Sequence, residues 1–185
     1  MAYQNSTSVD TPSSPLPHTV FLDTASTQAG DLDLTPLRHA CQNHLTLLTH
    51  TPPEQCLSYI GRANIVISNK VPLNANTLQA LKGQLQLICV AATGTNNIDL
   101  NQAQALGIPG ANVRNYGSQS VAEHVFSLIF ALSRSLMAYQ QEIRFGTWQQ
   151  AQHFGLLNHP IREIAASTLL IIGNGTLGQA TAALG

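Results

Sequence analysis

A glycine-rich turn near the end of the chain has the residue types and the spacing of a phosphate-binding loop. Its residues are Gly173-Asn174-Gly175-Thr176-Leu177-Gly178, a G-x-G-x-x-G pattern between an apolar stretch at 168–172 and a helical one at 179–184. In that context the first glycine makes a tight turn, the second lets a pyrophosphate approach the backbone, and the third lets a helix pack closely on a strand. Since free N–H groups at a helix start attract phosphate, the turn predicts a dinucleotide site.

A second loop with chemical potential follows a predicted buried strand at 85–90. It reads Ala91-Ala92-Thr93-Gly94-Thr95-Asn96-Asn97-Ile98-Asp99. Ligands of open parallel sheets bind at the carboxyl ends of the strands, and successive N–H groups in such a turn can hold an anion. Gly94 would allow close approach of a ligand or a positive φ. A plain turn, with Asp99 capping the next helix, fits the same residues equally well.

Neither a metal site nor a nucleophile motif is indicated elsewhere. The three cysteines are odd in number and have no metal-type spacing, so we expect reduced, packed thiols. They are Cys41, Cys56 and Cys89. The seven histidines have no ligand spacing either. We interpret His124, on a predicted apolar helix, as a packed core residue.

Composition excludes some classes of protein. The chain has 185 residues and a formal net charge of −1, with 9% charged and 44% hydrophobic residues, so no basic surplus favours nucleic acid or an anionic membrane. The first residues lack a charged and then apolar signal sequence, and the longest apolar run, 125–132, is too short to cross a bilayer. We expect a cytoplasmic globular protein.

The elements that would position these loops alternate between strand and helix. Residues 1–17, rich in Ser, Thr and Pro, predict a disordered leader. Apolar runs predict strands at 19–22, 45–48, 64–68, 85–90 and 168–172. Start and stop signals predict helices after Thr35-Pro36, after a Thr51–Glu54 capping box, and at 76–81 before Gly83. This alternation is typical of a parallel sheet covered on both faces.

One longer helix is predicted from about 121 to about 139, opened by a capping box of Ser120 and Glu123. Its apolar residues form a wide stripe, so we expect it to pack in its own domain and against a partner chain. It carries Val121, Val125, Leu128, Leu132 and Leu136 on one face.

Several stretches in one order resemble the D-isomer-specific 2-hydroxyacid dehydrogenases, nearest the glycerate dehydrogenase or hydroxypyruvate reductase branch. Besides the two loops, they are Ser68-Asn69-Lys70-Val71, Asn112-Val113-Arg114-Asn115-Tyr116, Ser120-Val121-Ala122-Glu123-His124, Phe145-Gly146-Thr147-Trp148 and Pro160-Ile161-Arg162-Glu163. The resemblance implies an α/β chain: a leader at 1–17, a flavodoxin-like substrate domain at 18–110, and an incomplete Rossmann dinucleotide-binding domain at 111–185. The long helix would build a homodimer.

The resemblance also implies roles for individual residues. Thr93 and Gly94 would bind the substrate carboxylate, and Thr93 would also contact the cofactor, NAD or NADP. The cofactor's pyrophosphate would lie on Gly173, Gly175, Thr176, Leu177 and Gly178. Asn69-Lys70 lies at another strand end on the same side, where a solvated lysine is the plainer interpretation.

The implied reaction is hydride transfer between nicotinamide and a small 2-keto or 2-hydroxy acid. The family's catalytic Arg, His and Glu lie past the glycine turn, so this chain is expected to carry no catalytic residue and little activity alone. The acidic residue that contacts the ribose is expected about 20 positions beyond the turn, after Gly185. The chain departs from the family at three places. Ala166-Ser167 stand where family members usually have Gly-Lys, and Leu170 stands where they often have Gly. Pro109-Gly110 interrupts what should be a short strand.

Two other functions stay open at this point. One is a non-catalytic, dinucleotide-sensing scaffold like the corepressors that share this fold, which would retain dinucleotide affinity and a partner surface. The other is a flavodoxin-like binding module that uses only the first domain and ends near Gly110. The coding sequence downstream of Gly185 would distinguish either of these functions from that of an enzyme.

Overall fold

The computed structural model describes residues 16–27 and 30–185. The leader predicted over 1–17 therefore lies outside the described residues, except for Leu16 and Pro17. The chain divides into two compact units, the first ending at Arg114 and the second beginning at Asn115. Each unit is described by itself.

The first unit is built on a parallel sheet of five strands. They are β1 (Thr19–Phe21), β2 (Leu45–Leu47), β3 (Ile65–Ser68), β4 (Leu87–Val90) and β5 (Gly110–Asn112). Their order across the sheet is β2-β1-β3-β4-β5, the order of flavodoxin-like folds. The predicted α/β class and flavodoxin-like architecture are confirmed for this unit.

Among the described residues, four short α-helices connect the strands, and the 3-10 helices Thr24–Ser26 and Pro53–Gln55 precede the first two of them. The α-helices are α1 (Thr35–Ala40), α2 (Cys56–Ile60), α3 (Ala75–Ala80) and α4 (Leu100–Ala105). Asn74 caps α3. Asp99 caps α4, as the interpretation of residues 91–99 as a plain turn predicted. The capping box of Thr51 and Glu54 is wrong, because the Thr51 hydroxyl instead donates to the carbonyl oxygen of Leu22 at 2.6 Å. The predicted cap at Thr35 is off by one residue, since Leu34 precedes the helix.

The main core of this unit lies on one face of the sheet. Strand side chains at alternate positions, such as Val66 and Ile88, pack there against α2, α3 and α4. Each helix contributes fully buried side chains, including Ile60 of α2 and Leu78 of α3. By contrast, α1 contributes none. This packed face fixes the register of the strands and hence the position of the loops at their carboxyl ends.

Residues Pro109-Gly110 do not interrupt the fifth strand, contrary to the prediction. Pro109 precedes β5, where a missing N–H costs nothing, and its carbonyl oxygen accepts the Ile88 N–H at 3.0 Å. The strand Gly110–Asn112 pairs with β4 and is the edge of the sheet. The first unit therefore includes residues beyond the domain end predicted at 110.

The second unit contains three helices: α5 (Ser118–Ser133), α6 (Leu136–Arg144) and α7 (Thr176–Leu184). The prediction of one helix over 121–139 is wrong. Ser135 has left-handed backbone angles, φ 49° and ψ 36°, and the two helix axes are bent by 60°. The Ser135 hydroxyl donates to the Pro160 carbonyl at 2.6 Å, so a remote segment holds the break.

The start of α5 also differs from the sequence prediction. The helix begins at Ser118, two residues before the predicted cap, and Gly117 precedes it without a side-chain cap, so the Ser120–Glu123 capping box does not form. Further along, α5 packs on α7, where Ala122 is 1% exposed and Thr181 is buried. Much of the remaining apolar surface of α5 is exposed, as Leu128 and Leu132 show. His124 is exposed too, so its interpretation as a core residue is wrong for this chain.

The strand predicted at 168–172 does not form in this structure. A strand needs a neighbour to bind its N–H and C=O groups, and residues 115–185 supply none. Its apolar side chains are consequently exposed, Leu170 by 81% and Ile172 by 95%. Among the described residues no single helix is long and apolar enough to cross a membrane, although the bent pair α5 and α6 passes jointly on length and composition.

Candidate functional site

The carboxyl edge of the parallel sheet gathers the polar residues of the first unit. Asp23 follows β1, Asn69 and Lys70 follow β3, and Thr93 and Gly94 follow β4. Because all the strands are parallel, these segments lie at the same edge. This is the edge at which open α/β sheets bind their ligands.

A buried carboxylate occupies the crevice between β1 and β3. Asp23 is 4% exposed, and its oxygens accept the backbone N–H of Asn69 at 2.9 Å and that of Lys70 at 2.7 Å. The Ser26 hydroxyl donates to the same carboxylate at 3.0 Å. The order of the strands reverses at this crevice, where related topologies bind ligands. In this protein the Asp23 carboxylate joins the segments that follow β1 and β3.

The negative charge of Asp23 also affects a neighbouring thiol. Burial, with a smaller contribution from Asp23, raises the pKa of Cys56 from its ordinary value of 9.0 to about 11. Burial, and then the neighbouring Cys41, raises the pKa of Cys89. Both groups are therefore neutral thiols near pH 7 and poor nucleophiles. All three cysteines are unpaired, as the sequence indicated.

Hydrogen bonds hold the loop after β4 on both sides. The Ala91 N–H donates to the Ser68 carbonyl at 3.0 Å, on the β3 side. On the β5 side, the Asn112 side-chain amide donates to the carbonyl oxygen of Thr93 at 2.7 Å. Thr93 and Gly94 are nevertheless exposed. The loop thus has a backbone held on both sides and an open surface.

The conformation of Gly94 decides between the reasons for a glycine there. Gly94 is not among the residues with positive φ, so the backbone itself does not require it. A Cβ would lie 3.3 Å from the side-chain oxygen of Asn96, a tight but flexible neighbour. The backbone conformation therefore gives no reason for a glycine at this position.

The three glycines of the turn in the second unit differ in whether the structure requires a glycine. Gly173 has a φ of 108°, which only glycine adopts readily. A Cβ on Gly178 would collide with the carbonyl oxygen of Gly173, so the helix start approaches the turn too closely for any side chain. Gly175 has a φ of −79°, and a Cβ there meets no atom within 4 Å. The space beside Gly175 is therefore open.

The start of α7 is suited to bind an anionic group. No side chain caps the helix, so the N–H groups of Thr176 and Leu177 have no side-chain acceptor. Both residues are exposed. The arrangement of free donors, a positive helix end and open space fits a pyrophosphate.

The structure brings the predicted residues together in two groups. Gly173, Gly175, Thr176, Leu177 and Gly178 share the turn of the second unit, and Thr93 and Gly94 share the loop of the first. Throughout residues 16–27 and 30–185 there is no group of three or more His, Cys, Asp or Glu residues that could hold a metal ion.

Comparison with known proteins identifies the family. Residues 24–178 match the family model described as D-isomer specific 2-hydroxyacid dehydrogenase, catalytic domain. The chain belongs to the D-isomer-specific 2-hydroxyacid dehydrogenase family. The resemblance drawn from the sequence motifs is thereby confirmed.

Relatives within this dehydrogenase family are similar to this chain over most of the chain's length. Glycerate dehydrogenase of Methylorubrum extorquens is 45% identical over 130 residues, which cover 70% of this chain and 41% of the relative. Hydroxypyruvate reductase of Blautia hydrogenotrophica is 32% identical over 165 residues, covering 88% of this chain and 50% of the relative. The chain thus spans about half the length of the curated relatives it matches.

A solved structure shows the same fold. An acyclic imino acid reductase in complex with NADPH and D-Arg superimposes with a TM-score of 0.74 at 19% identity, covering 90% of this chain and 52% of the other. At that identity the likeness concerns the fold alone.

Sequence reasoning missed two residues that shape the site of this 2-hydroxyacid dehydrogenase family member. Asp23 orders the segment after β3, and Asn112 binds the backbone of Thr93. Asp23 follows an apolar strand, which is a readable signal, whereas Asn112 ends the short strand Gly110–Asn112, which is not an apolar run. Their partners lie 46 and 19 residues away, however, and pairing over such distances follows from strand order alone.

Proposed function

We propose that this chain is part of an NAD(P)-dependent oxidoreductase that transfers hydride between a nicotinamide and a D-2-hydroxy or 2-keto acid. The substrate would be of the glycerate and hydroxypyruvate type. The observation that carries this proposal is the 45% identity to glycerate dehydrogenase within a family match over residues 24–178.

The substrate carboxylate would bind at Thr93 and Gly94. Two features support this role: their loop is held by hydrogen bonds to β3 and β5, and its glycine is not needed for the backbone conformation. Backbone N–H groups aimed at a carboxylate make charge-assisted hydrogen bonds, which are the stronger kind.

The dinucleotide would bind with its pyrophosphate on Gly173, Gly175, Thr176, Leu177 and Gly178, and would also contact Thr93. The open space beside Gly175 and the uncapped start of α7 support this role. Bound nicotinamide supplies the hydride acceptor or donor of the reaction. The residues of this chain serve to bind and orient, and they are compatible with NAD and with NADP.

No residue of this chain is assigned a catalytic role. In the family the Arg that orients the acid and the His and Glu that handle the proton lie past the glycine turn. We therefore expect the 185-residue polypeptide by itself to reduce hydroxypyruvate slowly or not at all, while retaining the two binding elements.

We further propose that the protein is cytoplasmic and homodimeric, and binds neither nucleic acid nor membrane. The unpaired thiols support a cytoplasmic location, and the net charge of −1 supports the absence of binding to nucleic acid and membrane. Exposed apolar side chains on α5, such as Leu128, Phe130 and Leu132, support a partner chain on that helix.

Titration of the purified chain with NADH and NADPH tests the proposal. Trp148, the single tryptophan, reports on the second unit by its fluorescence, and thermal unfolding gives an independent signal. Saturable binding is expected, and hydroxypyruvate is then added to measure turnover. A folded chain that binds neither dinucleotide at millimolar concentration would contradict the cofactor assignment.

A further inference from the structure

The glycine turn of the second unit contains the only Asn-Gly pair in the sequence, Asn174-Gly175. An asparagine side chain can react with the backbone nitrogen of the residue that follows it, because its carbonyl carbon lies within bonding reach of that nitrogen. A side chain on the following residue hinders the approach, and glycine has none. The pair is therefore the place in this chain where such a reaction meets the least steric hindrance.

Both reacting groups are free in the structure. Asn174 and Gly175 are exposed, and within the described part of the chain no hydrogen bond holds the Asn174 side chain or the Gly175 N–H. A Cβ on Gly175 would meet no atom within 4 Å, so the space around the nitrogen is open as well. By contrast, the side chains of Asn69 and Asn74 are engaged in hydrogen bonds within the first unit. Asn174 can thus react without first breaking a hydrogen bond to the protein.

The side chain of Gln179, in the first turns of α7, acts on the same peptide bond. Its Nε2 donates to the backbone carbonyl oxygen of Asn174 at 3.1 Å. A hydrogen bond at a peptide oxygen draws electron density from the nitrogen of that peptide, which here is the nitrogen of Gly175. The contact therefore makes the Gly175 proton easier to remove.

We propose that Asn174 is a site of spontaneous deamidation, and that the reaction weakens dinucleotide binding by the glycine turn. The Gly175 nitrogen gives its proton to hydroxide and forms a bond to the side-chain carbonyl carbon of Asn174. The bond from that carbon to the side-chain nitrogen breaks, and this nitrogen takes one proton from water and leaves as ammonia. Water then opens the cyclic imide, which leaves a carboxylate at position 174 as aspartate or isoaspartate. The reaction consumes only water, and nothing is oxidised or reduced.

The consequence for binding rests on the proposed function, which places the pyrophosphate on this turn. A carboxylate at position 174 adds a negative charge beside that anion and repels it. Isoaspartate also lengthens the backbone, since the main chain then passes through the former side chain. The turn has little room for an extra atom, because α7 approaches it so closely that a Cβ on Gly178 would collide with the Gly173 carbonyl oxygen. Both products therefore lower dinucleotide affinity, and a bound dinucleotide protects the pair by covering it.

Ageing of the purified chain at pH 8, followed by peptide mapping in a mass spectrometer, tests the chemistry. Asn174 is expected to convert before the other asparagines, and more slowly at pH 6, where hydroxide is scarcer. Asn96 is the internal control, since it is also exposed but is followed by the side chain of Asn97. Asn174→Gln keeps the amide on a longer side chain that closes the ring far more slowly, so this variant should stay intact.

NADH titration of fresh and aged protein tests the consequence. Converted molecules should bind NADH about tenfold more weakly, and fresh Asn174→Asp should show the same loss. Asn174→Gln should keep its affinity throughout ageing. NADH present at about ten times its Kd should slow the conversion of Asn174 about tenfold, because only the free chain reacts, and should leave Asn96 unaffected.

The results that would overturn the inference are distinct from those that would overturn the proposed function. Conversion of Asn174 no faster than that of Asn96 would remove the modification site. Equal NADH affinity of fresh and fully converted chains would remove its effect on binding. Either result leaves the proposed function standing, whereas a fresh chain that does not bind NADH would overturn the cofactor assignment and, with it, the effect of deamidation.

Discussion

At the scale of single residues, Asp23 connects sequence-distant parts of the site. Its carboxylate is the acceptor for two backbone N–H groups after β3, at 2.9 and 2.7 Å, and for one hydroxyl. Such a residue acts by ordering the backbone around it and needs no contact with a ligand. The segment that ends in Lys70 and the crevice between β1 and β3 both depend on it.

Replacing Asp23 by Ala should lower the free energy of unfolding of the first unit by about 1–3 kcal/mol, because buried donors lose their acceptor. Urea denaturation measures this effect. The control is Asp33→Ala, which removes an exposed carboxylate that binds the Thr35 N–H, and a smaller change is expected there. Equal stability of the two variants would show that the buried network contributes nothing beyond a surface contact.

The raised pKa of Cys56 predicts a specific response to alkaline pH. The unfolded thiol ionises near its ordinary value of 9.0, whereas the folded one retains its proton to about 11. The stabilising effect is therefore present in full below pH 9 and is lost as the pH rises from 9 to 11. Unfolding measured at pH 8 and 10.5 should show a larger loss for the native chain than for Cys56→Ala, and parallel losses would refute the assignment.

At the scale of elements, local sequence patterns determine some helices and strands, and contacts between residues far apart in the chain determine others. Four strands of the first unit lie within the ranges predicted, because runs such as Ile65–Ser68 are buried by the sheet they form. The break between α5 and α6 could not be predicted, since Pro160 and Arg162 hold it from a distance along the chain. The stretch 168–172 has the pattern of a strand but no neighbour within this chain.

Hydrogen exchange tests the contrast between these elements. Amides of β3 and β4 are paired on both sides and should be protected to near the global unfolding free energy of their unit. Amides at 169–172 have no strand partner and should exchange within the dead time of the experiment. Strong protection there would indicate that the segment is paired, for example with a second copy of the chain.

The candidate site shows the same division between motif and partner. The types and spacing of Gly173, Gly175 and Gly178 could be read from the sequence, and the structure adds steric reasons for Gly173 and Gly178. The contacts that support Thr93 could not be read from the sequence, because Asn112 reaches Thr93 through the pairing of β4 and β5. Motifs thus indicate the ligand, while tertiary pairing supplies the geometry.

At the scale of the whole molecule, the two units differ in how completely they are packed. The first has a closed core on one face of a five-stranded sheet. The second has helices with exposed apolar side chains and an unpaired apolar segment. The chain spans about half of its curated relatives, so the binding elements are expected here and the catalytic residues in the family's remaining length.

The most direct test of the central claim is the NADH affinity of Gly175→Ala beside that of Gly117→Ala. Both glycines precede a helix, neither has a positive φ, and a Cβ on either meets no atom within 4 Å. Their effects on helix stability should therefore match. If the turn binds pyrophosphate, Gly175→Ala lowers NADH affinity by about tenfold or more, since its Cβ fills the space the ligand uses, and Gly117→Ala leaves it unchanged. Equal affinities of the two variants would contradict the dinucleotide site.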